Sequence, residues 1–171
     1  MRAVRRALRA SIFDRRAHTE LFFDSDATAD AVLLVSAVVG VVYIGSVIPS
    51  GFSALSLRGL LSAVIFGVID WLIVAAATWF VAGRLFQGGG HMQTMMRLHG
   101  HCELPLLLAV FGGVGYGVGL AWSTAAKVVA TSEASSIDIW KALASVIVGL
   151  ALVFLIRLLL RIPFGVLGAV L

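Results

Sequence analysis

Residues 60–82, LLSAVIFGVIDWLIVAAATWFVA, and residues 104–126, LPLLLAVFGGVGYGVGLAWSTAA, are two apolar runs joined by a polar segment, residues 83–103, GRLFQGGGHMQTMMRLHGHCE. Each run has 23 residues; the first holds one charge, Asp70, and the second none. A helix rising 1.5 Å per residue over that length covers the roughly 30 Å of hydrocarbon in a bilayer. The pair reads as a transmembrane hairpin, and the rest of the chain is placed around it.

Upstream, residues 29–48 form another apolar run, closed by Pro49-Ser50-Gly51, where proline and glycine end a helix. Downstream, residues 123–138 read as a Ser/Thr-rich loop with Ser136 or Asp138 capping the next helix. A last run follows at 142–160. Pro163 is expected to break or kink it, leaving an apolar C-terminal stub to Leu171 that is too short to cross alone and should lie at the interface or re-enter. The fold expected is therefore all-α: a polytopic transmembrane helical bundle with spans at about 29–48, 60–82, 104–124 and 142–160. Residues 1–28 stand apart as an Arg-rich amphipathic segment. Arg2, Arg5, Arg6 and Arg9 share one helical face, with Val4, Leu8 and Ile12 roughly opposite. Such a helix suits an anionic lipid surface; its arginines also serve simply to retain the N-terminus in the cytoplasm.

Composition supports a membrane class. Mean hydropathy is +1.03, 60% of residues are hydrophobic and 13% are charged, about half the charged share of a soluble domain. So few charges could not cover so much apolar surface in water. The net charge is +4, but the basic residues flank the runs, where they act as orientation signals. No aromatic–basic platform points to nucleic acid. Four crossings would place both termini and the 83–103 loop together, with ten basic residues on that side. Arg58, Lys127 and Lys141 would remain opposite, so the first side is assigned to the cytoplasm. Cys102 is the single cysteine, so no intramolecular disulfide forms.

Two constellations carry chemistry. Asp70 lies at the centre of a span, where a carboxylate is costly unless protonated, paired or facing a polar cavity. It reads either as a proton or ion site or as a neutral acid bonded between helices, with Arg157 reachable only by snorkelling. His91, His99, His101, Cys102 and Glu103 form the second, whose imidazoles and thiolate are ligands for zinc or copper, although their spacing matches no standard zinc pattern. Their other reading is as interfacial polar residues on a short helix, Met92–Leu98, that turns Met92, Met95 and Met96 toward lipid. In the third run, Gly113/Gly117 and Gly115/Gly119 have the spacing that lets helices approach closely, either as a seam between copies or as packing within the chain. No nucleophile elbow, phosphate loop, HExxH or paired-carboxylate pattern occurs, so neither an enzyme nor a resident cofactor is expected.

The linker GRLFQGGGHMQTMMRLHGHCELP resembles that of the Yip-domain integral membrane proteins. Gly83, Gly88, Gly89, Gly100 and Pro105 stand where that family has a glycine-rich turn, a further glycine and the proline opening the next span. Leu98 fits its apolar position before the glycine, and His101 stands where an aromatic is common. The resemblance, carried by about residues 60–110, implies a non-enzymatic membrane protein, usually five-spanned. Eukaryotic relatives bind Rab-type GTPases and act in vesicle traffic or membrane shaping. The function expected is membrane organisation or partner binding through the cytoplasmic face, as a homo-oligomer or with another protein. The alternative is a small ion or proton transporter or channel using Asp70, with the His-rich loop titrating near neutral pH.

Overall fold

A computed structural model describes residues 2–24, 26–51 and 55–168; residues 169–171 of the expected stub lie outside it. The elements in order are α1 (Arg2–Ser11), α2 (Arg15–Phe23), α3 (Ala27–Val47), a 3-10 turn (Ile48–Ser50), α4 (Leu57–Arg84), α5 (Met92–His101), a 3-10 helix (Leu104–Phe111), α6 (Gly112–Ser135) and α7 (Ile139–Gly168). Among the described residues the protein is all-helical. Four helical stretches are long and apolar enough to cross a membrane: Ala27–Val47, Leu57–Arg84, Met92–Ser135 and Ile139–Leu160. That architecture is compatible with a multi-pass membrane protein.

α3 and α4 are antiparallel. Gly67 of α4 packs under Val39 of α3, and the Tyr43 hydroxyl reaches Ser56 and Gly59 at the far end. α4 begins three residues before the expected 60, because the Ser56 side chain caps it by accepting from the Gly59 amide at 3.0 Å. α7 runs antiparallel to α4, from Ile137 beside Gly88, past Gly149 against Val74, to Arg157 against Asp70. Its backbone stays helical through Pro163 to Gly168 instead of breaking there.

The third apolar run departs most from the sequence reading. Residues 104–124 are not one helix. Leu104–Phe111 descends as a 3-10 helix, and the chain reverses at Gly112, whose φ of +82° suits glycine. α6 then climbs back along it. A Cβ at Gly119 would stand 2.5 Å from the Pro105 carbonyl oxygen, and one at Gly115 would overlap the Leu108 carbonyl oxygen. Two backbones meet here because no side chains separate them. The arms are unequal: eight residues at about 2.0 Å per residue span roughly 16 Å, whereas the 24 residues of α6 span about 36 Å. α6 therefore continues past its entry point and makes helical the stretch read as a loop, ending at Ser136, a left-handed C-cap with φ of 53°.

This reversal corrects two further expectations. Lys127 and Lys141 do not lie opposite the 83–103 segment: Lys127 touches Glu103, and the Gly89 amide bonds to the Ser135 carbonyl. With run 104–126 doubling back rather than crossing once, the N-terminal helices and the end of α7 point to opposite ends of the bundle, not to a shared one.

At the end holding α5, one hydrophobic cluster draws on six helices: Ala10 of α1, Leu21 of α2, Ala27 of α3, Ala75 of α4, Met95 and Leu98 of α5, and Ala126 and Ala130 of α6. The described residues before Ala29 thus form half of a folded cap. Met95 is buried and Met96 packs against the cluster, so only Met92 keeps the outward position expected of all three.

The glycine pattern is directly testable. Gly113 and Gly117, expected to pack helices, face open space, whereas Gly115 and Gly119 make the contact. Gly119→Ala should destabilise the purified protein by about 1–3 kcal/mol through overpacking, while Gly117→Ala should be neutral or stabilise by about 0.5–1 kcal/mol. Thermal unfolding in detergent checks this; equal losses at both positions would contradict the hairpin.

Candidate functional site

The cap is where charged side chains converge. α1 buries Ala7, Ala10 and Ser11 and holds Arg6 and Arg9 at its flanks. Arg6 pairs with Asp24 at 2.6 Å and lies 4.0 Å from Asp30. Arg9 pairs with Asp14 at 2.7 Å and Glu20 at 2.9 Å. The Arg9 hydrogen bond holds the Asp14 carboxyl below its ordinary range, and the Arg6 hydrogen bond does the same for Asp24. Two of the four arginines read as a lipid-facing row are therefore occupied by the chain's own acids.

α2 is fastened to the end of α6 by Glu133, which accepts from His18 Nδ1 at 2.7 Å and lies in an ion pair 3.1 Å from Arg15 Nε. Arg97 of α5 is buried and donates to Thr28 Oγ1 at 2.8 Å and to the Phe22 carbonyl at 3.2 Å, tying α5 to the α2–α3 junction. Tryptophans peg the backbone: Trp71 Nε1 donates to the Met96 carbonyl, Trp79 Nε1 to that of Gly90, and Trp122 Nε1 to that of Ser11. The reversal at Gly112 is what brings Trp122 back to the cap.

Beneath the cap lies a buried ion pair that the sequence reading missed. Lys127 Nζ stands 2.8 Å from Glu103 Oε1, and Ser123 Oγ donates to Glu103 Oε2 at 3.4 Å. Both charged side chains are almost wholly enclosed. The signal was available: Gly119, Ser123, Lys127, Thr131 and Ser135 recur every four residues, a small and polar stripe on one face of a continuing helix. All five are buried against the rest of the chain.

The metal-ligand candidates are dispersed. His91 is exposed at the start of α5. His99 lies 3.0 Å from Thr131 Oγ1, while His101 Nδ1 donates to the Arg97 carbonyl at 2.8 Å. Cys102 is fully buried in the apolar cluster. Among the described residues no three His, Cys, Asp or Glu side chains come together as a metal site. His99 and His101 are buried rather than interfacial, the helix pointing them to different neighbours.

Asp70 is paired after all. Arg157 lies level with it on α7, and Arg157 Nη2 donates to Asp70 Oδ2. The expected offset disappears because the reversal makes α7 start at the cap end and run antiparallel to α4. Against this geometry, no family model matches the chain, and neither does any curated protein or solved structure.

The buried pair sets a sharp expectation. Removing one partner leaves an uncompensated enclosed charge, so Lys127→Met in detergent should cost about 3–5 kcal/mol, while Glu103→Met/Lys127→Met should recover much of that loss. A double variant as unstable as the sum of the two single variants would contradict the coupling.

Proposed function

We propose that this chain is a non-enzymatic, Yip-like integral membrane protein whose cap seats on the cytoplasmic membrane surface and organises the bilayer there. One observation carries the reading: α1 turns Val4 and Leu8 outward, not into the protein, and Ile12 and Phe13 in the turn after it are exposed beside them. Exposed Arg5, Arg15 and Arg16 accompany that stripe. The Trp122–Ser11 bond sets the end of α1 next to the apolar surface of the hairpin. A helix with outward apolar side chains and cationic neighbours at that boundary suits anionic lipid.

Charge bias supports the orientation. Ten of the 13 basic residues belong to the cap end, from Arg2 through Lys141, and Arg58 lies at the other. The positive-inside tendency then favours a cytoplasmic cap and a C-terminus across the membrane. The transporter reading draws less support, since Arg157 accounts for an acid at the depth of Asp70 without an ion pathway.

A fluorophore at Leu8→Cys, in full-length protein reconstituted in vesicles containing anionic lipid, tests the seat. Lipid-borne quenchers should reach it and aqueous iodide should not. Free access for iodide would overturn the reading, and a photocrosslinker at residue 8 recovering protein instead of lipid would replace the bilayer with a partner.

A further inference from the structure

Asp70 and Arg157 pose a problem that their pairing does not solve. Asp70 sits at the middle of α4, and the Arg157 side chain keeps 57% of its surface exposed. Around them, exposed Phe66 and Ile69 of α4 and Phe154 and Leu158 of α7 form an apolar surface. α7 packs on α6 through Ala142 and Val146 against Val128, and further along it lies on α4. A charged pair therefore stands on the outer face of the apolar half of the bundle. Ionisable groups at that depth ordinarily face the protein interior or a polar cavity. A guanidinium has five donors, and here one meets Asp70.

The patch carries one cation and one anion side by side, so it is complementary to itself. Under a two-fold axis along the membrane normal, equivalent groups lie at equal depth, and each guanidinium meets the other copy's carboxylate. The phenylalanines and leucines around it would exclude lipid and water from the four charges.

We propose that the α4–α7 face binds a second copy of this chain, with Arg157 of each copy sharing the Asp70 carboxylates of both. The interface rests on the membrane-spanning reading but not on the seat of the cap, so residue 8 can fail its test while this one holds.

Cysteine crosslinking of the full-length protein in membranes decides it. Phe154→Cys lies on the proposed face and Val114→Cys on the exposed start of α6, away from it; native Cys102 is buried and serves as background. Oxidation should convert most Phe154→Cys chains to disulfide-linked dimers and few Val114→Cys chains. Adding Arg157→Asp should lower the Phe154→Cys dimer fraction several-fold, and the exchanged pair Asp70→Arg/Arg157→Asp should restore it, showing that the loss was not misfolding. No dimer at residue 154, equal dimer at residue 114, or no restoration by the exchanged pair would overturn the proposal and leave the face to lipid.

Discussion

Backbone contact between Leu104–Phe111 and α6 is the constraint on which the remaining structure depends. Two main chains approach this closely only where side chains are missing, and Gly115 and Gly119 supply that absence at the contact. An eight-residue 3-10 helix is an unfavourable element, with poorer hydrogen-bond geometry than an α-helix. It persists here because it lies between α3, where Val110 meets Gly45, and α6. Backbone irregularity inside a membrane is tolerated where protein surrounds it. From this reversal follow the return of Lys127 to Glu103, the polar stripe of α6 against α5, and the base on which α1 and α2 fold.

The ion pairs differ in what they contribute. Those of Arg6 and Arg9 are partly exposed, and solvent screens such pairs so that each contributes little. They fix the register of α1 and α2 more than they stabilise the cap; burial of Leu21, Met95 and Leu98 does that. The Glu103–Lys127 pair is different in kind. Its desolvation cost roughly cancels its attraction, so it adds little net stability, yet neither partner tolerates loss of the other. It acts as a lock on the hairpin.

Much of the fold was legible in the sequence because hydrocarbon imposes a simple rule on helix length. The runs at 60–82 and 142–160 fall within helices of the structure that extend two to eight residues beyond them, and the run at 29–48 matches α3 to within two residues at either end. The third run was misread because hydropathy measures length, not direction. A stretch that enters and returns has the same composition as one that crosses, and Gly112 among so many glycines gave no sign of being the turn. The polar residues after Ala126 then looked like a loop, although Ser123, Lys127, Thr131 and Ser135 keep helical spacing. The histidines were legible as unusual but not as buried, because burial of His99 depends on Thr131 from a stretch read as a loop. The Asp70 partner was named but placed at the wrong depth for the same reason.

Sidedness of residue 136 tests the reversal most directly. Single cysteines at His91, Ser136 and Leu55, all exposed, are labelled in sealed vesicles with a membrane-impermeant maleimide from either side, in a Cys102→Ala background. The hairpin predicts that residues 91 and 136 react from one side and residue 55 from the other. Residue 136 reacting together with residue 55 would mean that the third apolar run crosses the membrane once, and the account would fail.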